Sequence, residues 1–168
     1  MGMWKRISNL FTKPEPLKRE RSMLELMPGD ICEVSLTTYE VMGRVHNRAR
    51  NAVMLTLQDG SHIQYLYIEE REKLQFALYL PIDGRPDTPD ELPTIMELDG
   101  LDYHLEEQYG GTVSVVGRTP FLQSGEQHVW QYQADNYRLL RIEWQDGRFM
   151  LYEGDQVIPG DVKVIRAS

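Results

Sequence analysis

The sequence predicts an all-β domain, mainly antiparallel, with a short N-terminal amphipathic helix. From Met27 onward, short runs rich in Val, Ile, Tyr, Thr and Leu recur with a period of two, and Gly, Asp, Asn and Pro separate them. Asp-Gly pairs at 59–60 and 146–147 stand between such runs, and this dipeptide supplies the positive φ that a two-residue type I′ hairpin turn requires. Together these observations favour sheets joined by tight turns.

Composition is typical of one soluble globular domain. The chain has 168 residues, of which 41% are hydrophobic and 26% charged. No apolar stretch approaches the roughly 20 residues that cross a bilayer, and no secretory signal pattern precedes the apolar runs. We therefore expect a cytoplasmic protein, either free or peripheral to the inner membrane. The single Cys32 excludes an internal disulfide, and its apolar surroundings predict a buried, inert thiol.

Residues 1–26 are predicted to form a basic amphipathic helix followed by a linker rich in proline and charge. Pro14 and Pro16 end the helical pattern. A helix of two to three turns is marginal alone in water, so it needs a surface to lie on. That surface is a protein partner, the inner membrane or a groove on its own domain. The candidate contact residues combine an apolar face with basic flanks and are Met3, Trp4, Lys5, Arg6, Ile7, Leu10 and Phe11.

Charge is unevenly distributed along the chain. Residues 1–22 hold six basic and two acidic side chains, so within a net charge of -8 the remainder carries -12. Affinity for nucleic acid depends on clustered cations that contact phosphates. The acidic body therefore predicts no nucleic-acid partner.

Strands are predicted throughout residues 27–168. The charged run Glu69–Lys73 is read as a turn between two of them, although its residues would also suit a helix. Near the second Asp-Gly pair, Leu140 and Ile142 alternate with Arg141 and Glu143, which predicts one dry and one wet face. The predicted strands span 30–37, 39–47, 52–58, 61–69, 73–80, 94–98, 101–107, 112–119, 127–134, 137–144, 147–153 and 161–166.

A weak internal repeat suggests two related β subdomains or half-barrels, 27–80 and 94–168. Val41–Arg44 matches Val115–Arg118, and Leu57–Gly60 matches Trp144–Gly147, although chance similarity of glycine-punctuated strands is an alternative. Pro81–Pro93 contains four prolines and several acidic residues. Because proline cannot donate to a sheet ladder, this segment is predicted to be a stiff connection between the units.

Several motifs in the chain carry a family resemblance. They are Gly29-Asp30, Gly43-Arg44, Tyr103–Glu107 with Gly110-Gly111, Val129–Tyr132, and Leu139–Glu143 with Asp146-Gly147. With these motifs the chain resembles, over roughly residues 27–166, the bacterial domain of unknown function 4178 family. The resemblance implies an uncharacterised, mostly β domain. Members are often encoded near phage-shock protein A-like, polyamine-synthase-like and small membrane-protein genes, which implies a membrane-stress or envelope setting.

No motif of catalysis, metal binding or cofactor binding is found in the sequence. The four histidines are scattered without zinc-ligand spacing. Neither a nucleophile elbow, a phosphate-binding loop nor a dinucleotide fingerprint occurs. We therefore predict a non-enzymatic protein without a catalytic residue, metal or cofactor.

Aromatic pairs are the remaining candidate binding residues. Tyr65 and Tyr67 share a face of one predicted strand, and Trp130 and Tyr132 share a face of another. These four could line a groove for a cationic metabolite such as a polyamine, or could pack in a core. The sequence thus predicts a non-enzymatic interaction module, an adaptor in bacterial membrane or envelope stress, with a small-ligand-binding domain as the alternative.

Overall fold

The computed structural model describes residues 22–86 and 89–168 and is all-β and antiparallel, as predicted. Helix in this part is limited to three single turns of 3₁₀ type, at Met23–Glu25, Pro89–Glu91 and Pro159–Asp161. The predicted N-terminal helix and its candidate contact residues lie outside the described residues. The strands are β1 (Ile31–Val34), β2 (Thr37–Asn47), β3 (Ala52–Asp59), β4 (His62–Glu70), β5 (Leu74–Ile82), β6 (Ile95–Leu98), β7 (Leu101–Gly117), β8 (Gly125–Ala134), β9 (Leu139–Gln145), β10 (Arg148–Val157) and β11 (Val162–Arg166).

Eight of the strands close into a barrel. β2 to β5 form one meander and β7 to β10 form another, and the two meanders meet at two antiparallel seams, β5–β10 and β2–β7. The other three strands lie outside the ring. β1 and β11 extend the sheet beyond β2, and β6 pairs with the beginning of β7.

The β2–β7 seam depends on two glycines that face each other. Gly43 pairs with Gly117. A Cβ on Gly43 would lie 1.8 Å from the Arg118 carbonyl oxygen, and one on Gly117 would lie 2.5 Å from that of Met42. Gly117 also has a φ of +73°. Only glycine allows so close an approach, because any side chain would push the two strands apart.

The predicted internal repeat corresponds to this seam in its first pair of motifs. Val41–Arg44 and Val115–Arg118 lie opposite each other where β2 meets β7. The second pair of motifs occupies different places, since one marks the β3–β4 turn and the other the β9–β10 turn. In a repeat that matched along both meanders, β8 and β9 would correspond to β3 and β4, so the second Asp-Gly turn would join β8 to β9. It joins β9 to β10 instead.

The two predicted hairpins are present, with one shift of register. Asp146 and Gly147 have φ of 50° and 78° and form the two-residue turn between β9 and β10. In the first hairpin the ladder continues to Asp59 opposite His62, so the turn residues are Gly60 and Ser61. The turn therefore starts one residue later than predicted.

Two predicted strand boundaries are wrong. The strand predicted at 30–37 ends at Val34, because Ser35 and Leu36 form a turn with φ of 48° and 68°. The strands predicted at 101–107 and 112–119 are one strand of 17 residues, β7, which runs through Gly110-Gly111. Of the charged run predicted as a turn, Glu69 and Glu70 instead end β4, and only residues 71–73 connect it to β5, which begins at Leu74.

The barrel wall has an apolar core on each outer side. One outer core packs the outward faces of β3 and β4 under β1, β11 and the first 3₁₀ turn, and it includes Leu55, Leu66 and fully buried Cys32. Burial raises the pKa of Cys32 to about 12, consistent with the predicted inert thiol. The second outer core packs β8 and β9 under β6 and its neighbours, and it includes Tyr132 and Ile142.

The prediction that one face of β9 is exposed to solvent is wrong. Arg141 and Glu143 are only 4% and 3% exposed, because the closed barrel surrounds the face that carries them. Their apolar neighbours Leu140 and Ile142 also are buried, in the second outer core. The interior of the barrel therefore holds polar and aromatic side chains together with an apolar cluster that includes Met54 and Leu139, and it lies between the two outer cores.

Candidate ligand-binding site at the barrel mouth

A cleft of about 430 Å³ opens at the end of the barrel where β4 turns into β5 and β8 into β9. Ligand pockets in proteins commonly have this size and lie at the mouths of barrels. Leu74, Phe76 and Val157 supply apolar wall, while tyrosine, glutamine and arginine side chains line the deeper part. The polar residues of that deeper part are Tyr67, Tyr79, Tyr109, Gln131 and Arg141.

Antiparallel register explains why these side chains converge. Tyr67 of β4 pairs with Ala77 of β5, which pairs in turn with Gln156 of β10. Successive neighbours across the strands point to the same face of a sheet. Because the sheet is closed, β7 and β9 then bring Tyr109 and Arg141 to Tyr67 from the opposite wall.

Arg141 is the buried centre of the interior. Its Nε donates to Glu143 Oε2 at 2.8 Å, and its Nη1 donates to the Tyr109 hydroxyl at 3.0 Å. The guanidinium also lies over the Tyr67 ring, with its carbon 4.4 Å from the centroid. Burial alone would lower the pKa of Arg141, but Tyr109 and Glu143 raise it well above the usual value, so the side chain stays cationic.

Tyrosine hydroxyls of the interior are neutral hydrogen-bonding groups. Tyr152 donates to Glu143 Oε1 at 3.1 Å, and Tyr79 donates to Gln131 Oε1 at 3.2 Å. Burial raises the pKa of Tyr79 to about 12 and that of Tyr152 well above its usual value. At neutral pH these hydroxyls are protonated and do not act as bases, and Tyr79 lines the cleft.

Four charged side chains form a closed ring at the rim, which we call the mouth ring: Arg50, Glu69, Arg71 and Glu107. Arg50 binds Glu69 at 3.1 Å and Glu107 at 2.5 Å. Arg71 also binds Glu69, and it lies 3.4 Å from Glu107. Glu107 follows a bulge in β7, where the register with β8 shifts between Leu105 and Glu107. The ring thus ties the turns beside β3 and β4 to the middle of β7.

Aromatic contacts link the mouth ring to the interior. Arg50 stacks over Tyr109 with 3.7 Å between its guanidinium carbon and the ring centroid. The Tyr67 hydroxyl donates to Glu69 Oε1 at 2.8 Å. Burial would raise the pKa of Glu69, but hydrogen bonds from Tyr67, Arg71 and Arg50 lower it below the usual value. Glu69 is therefore an ionised acceptor whose donors come from the protein itself.

The structure separates the two aromatic pairs predicted from the sequence. Tyr65 and Tyr67 point into the barrel, and the Tyr65 ring meets Tyr152 edge-on at 5.3 Å between centroids. Trp130 and Tyr132 lie in the second outer core, where the Tyr132 hydroxyl donates to the Pro93 carbonyl at 2.8 Å. The four residues therefore do not line one groove. Of them, only Tyr67 lines the cleft.

Sequence reasoning missed the polar residues at the centre of the barrel interior. Arg141 and Glu143 were visible only as alternating polar residues in a predicted strand, and Tyr109 lay between two predicted strands. The available signal was a charged pair spaced two apart, Arg141 and Glu143, in a strand whose other face is strongly apolar. Such a strand is buried on both faces when its sheet closes.

The part of the chain that the structure describes shows neither a cluster of metal ligands nor a membrane-spanning helix. Over residues 22–86 and 89–168, no three His, Cys, Asp or Glu side chains come together as a metal site would require. None of the 3₁₀ turns there is long or apolar enough to span a bilayer. The contact residues predicted at the N-terminus lie outside this part, so their role stays a prediction.

Comparison with protein families gives one finding. The model of DUF4178, a domain of unknown function, matches residues 27–159, which is most of the chain. Comparisons with curated proteins and with solved structures give no match.

Proposed function

Since this chain belongs to the DUF4178 family, a family of unknown function, we propose its function from the site itself: it binds a small molecule at the barrel mouth without transforming it. One observation carries the proposal. A cleft of about 430 Å³ has apolar walls and a floor where tyrosine hydroxyls, an amide and a buried guanidinium converge. This combination of apolar surface and a few oriented polar groups is typical of ligand sites.

Binding is favoured over catalysis by the state of the polar groups. Glu69 and Glu143 accept hydrogen bonds from arginine and tyrosine side chains. The Tyr79 and Tyr152 hydroxyls have raised pKa values and are already donating. A general base must be able to take a proton near the working pH. The pKa of Glu69 is lowered below its usual value, and the Tyr79 and Tyr152 hydroxyls already carry their protons.

The test is a thermal-shift screen of the full chain against a metabolite panel that includes spermidine, at two salt concentrations. A ligand that binds only the folded state raises Tm. Gln156→Trp would fill the cleft, because Gln156 lines it and is exposed. Gln108→Trp is the matched control, an exposed glutamine of β7 that pairs with Trp130 on the outer face.

We expect at least one class of compound to raise Tm in the wild type and in Gln108→Trp but not in Gln156→Trp. Both variants should fold, since each changes an exposed strand residue. The proposal is overturned if no compound stabilises the wild type, or if Gln156→Trp responds as strongly as the control.

A further inference from the structure

We propose that the cleft recognises a small organic anion, specifically a planar carboxylate, and this inference rests on the proposed function. Two cationic side chains that line the cleft have donors without a described partner, whereas both carboxylates that line it accept from protein donors on each oxygen. A ligand is recognised by complementing groups that the protein leaves unpaired, since a buried polar group without a partner is costly.

The carboxylates around the cleft are fully engaged. Glu69 Oε1 accepts from Arg50 and Tyr67, and its Oε2 accepts from Arg71. Glu107 accepts from Arg50 on one oxygen and from Arg71 on the other. Beneath them, both oxygens of Glu143 accept hydrogen bonds as well. Each oxygen of these three carboxylates thus already has a protein donor, which weakens their attraction for a cationic guest.

Donors, in contrast, remain available. The guanidinium of Arg141 has five N–H donors, and its Nε and Nη1 are bonded to Glu143 and Tyr109. Its Nη2 has no partner among residues 22–86 and 89–168, although the side chain is 5% exposed and lines the cleft. At the rim, exposed Lys73 forms no ion pair with any described side chain.

The charges of the side chains that line the cleft also favour an anionic ligand. Three cationic side chains line it, Arg71, Lys73 and Arg141, against the two carboxylates Glu69 and Glu107. The acidic body would repel an anion at long range, but the Debye length is about 10 Å at 0.1 M salt. Contacts inside the cleft therefore decide the sign of the ligand at physiological ionic strength.

Tyrosine rings suggest the shape of the rest of the ligand. Tyr67, Tyr79 and Tyr109 line the same cleft as Phe76 and Leu74. Aromatic faces and edges pack best against flat, apolar groups. A planar ring bearing a carboxylate would place its flat body against these walls and its charge toward Arg141 and Lys73.

The test uses three probes of one shape and different charge: benzoate, benzamide and benzylamine. Each is titrated into the full chain near neutral pH in about 0.1 M salt, and binding is followed by chemical-shift changes. We expect benzoate to bind at least about tenfold more tightly than the other two, since charge-assisted hydrogen bonds are roughly twice as strong as neutral ones.

Lys73→Gln removes the rim charge at an exposed position, so the fold should survive. We expect it to weaken benzoate binding about fivefold, whereas Lys163→Gln, an exposed lysine on β11, should leave binding unchanged. The inference is overturned if benzylamine or benzamide binds as well as benzoate, or if Lys73→Gln and Lys163→Gln behave alike.

The outcomes separate this inference from the proposed function. If the amine or amide binds without a preference for benzoate, and Gln156→Trp abolishes that binding, the cleft is a ligand site and only the anion preference fails. If none of the three probes binds up to its solubility limit and the metabolite panel also gives no Tm shift, both proposals fail.

Discussion

Arg141 and Glu143 show how individual residues stabilise a polar barrel interior. Taking two charges out of water is costly, and their attraction repays the cost only when geometry is good and the remaining atoms are hydrogen-bonded. Both side chains are at most 5% exposed, they lie 2.8 Å apart, and Tyr109 and Tyr152 satisfy further atoms. The pair therefore holds these two tyrosines in fixed positions in the barrel interior, and Tyr109 also lines the cleft.

Glu143→Gln tests the buried pair. The substitution keeps the shape of the side chain but leaves the Arg141 charge uncompensated, so we expect the free energy of unfolding to fall by about 3–5 kcal/mol. Chemical denaturation measures it. Glu126→Gln, at an exposed position on β8, is the control and should change stability by less than about 0.5 kcal/mol. Equal effects of the two substitutions would contradict a structural role for the pair.

Glu69 makes the mouth ring sensitive to acid. Its pKa in the folded state lies below the ordinary value of 4.5, with burial opposing the shift and hydrogen bonds from Tyr67, Arg71 and Arg50 prevailing. A lowered pKa means that the folded state binds the proton less readily than the unfolded state. The stabilisation is therefore complete above the unfolded pKa and is lost as pH falls through the folded one.

Glu69→Gln should remove this dependence. We expect the variant to be less stable than the wild type at neutral pH by about 1–3 kcal/mol, with the difference shrinking below about pH 4.5. Urea unfolding at several pH values gives the comparison. The matched control is Glu72→Gln, an exposed carboxylate in the following turn. A stability gap that stays constant down to pH 3 would show that the ring does not act through ionised Glu69.

At the scale of elements, the alternation of apolar and polar residues predicts where strands lie. It does not predict that the sheet closes into a barrel. Alternation reveals which residues share a face, because side-chain direction repeats every two residues. It does not reveal which face a closed sheet will cover, so Arg141 and Glu143 were assigned to solvent. The turn at Ser35 and Leu36 escaped prediction for a different reason, since neither residue type commonly adopts positive φ.

Gly110-Gly111 is a second place where the sequence does not reveal the structure, here because residue type predicts a break that is absent. Paired glycines ordinarily suggest a break, yet β7 passes through them without interruption. A Cβ on Gly111 would lie 2.9 Å from Asn47 Nδ2. That atom ends a flexible side chain that can shift, so these glycines lie in an ordinary stretch of strand, which a single sequence cannot distinguish from a turn.

Two glycines with similar backbone conformations allow the cost of a positive φ to be measured apart from the cost of steric crowding at the seam. Gly117 and Gly147 have φ of +73° and +78°, but a Cβ would meet backbone only at Gly117. Gly147→Ala should therefore cost about 1 kcal/mol from the left-handed conformation alone. Gly117→Ala should cost about 1–3 kcal/mol more, because overpacking is added.

The measurement is the free energy of unfolding of each variant, calculated from its denaturant midpoint with one m-value for both. Gly43→Ala serves as a second probe of the same contact, since its Cβ would lie 1.8 Å from a carbonyl oxygen. If Gly117→Ala and Gly147→Ala are equally stable, the β2–β7 seam does not depend on close approach of the two backbones.

At the scale of the whole molecule, two meanders complete one barrel in the part of the chain that the structure describes. Each meander leaves an unpaired edge at both ends, and an exposed edge favours association with another strand. The seams β5–β10 and β2–β7 pair all four of these edges. Beyond the barrel, β11 at the end of the chain pairs with β1 near its beginning. The contacts that close the barrel are thus far apart in sequence, and local patterns do not encode them.

Cutting the connection between the meanders tests this architecture. Replacing residues 85–88 with a protease site allows cleavage between β5 and β6, outside every strand of the barrel. Because both seams and the β1–β11 pair join the two fragments, we expect them to elute together at the size of the intact chain. Their Tm should fall and become dependent on concentration, since folding is now coupled to association.

The uncleaved protein carrying the same site, treated with inactivated protease, is the control for the inserted sequence. It should retain a Tm that does not vary with concentration, because its two meanders remain on one chain. Fragments that elute separately without denaturant while each stays folded would show that the meanders are independent units. In that case the cleft, whose walls come from β4 and β5 on one fragment and β7 to β10 on the other, would be an interface between domains instead of the mouth of one barrel.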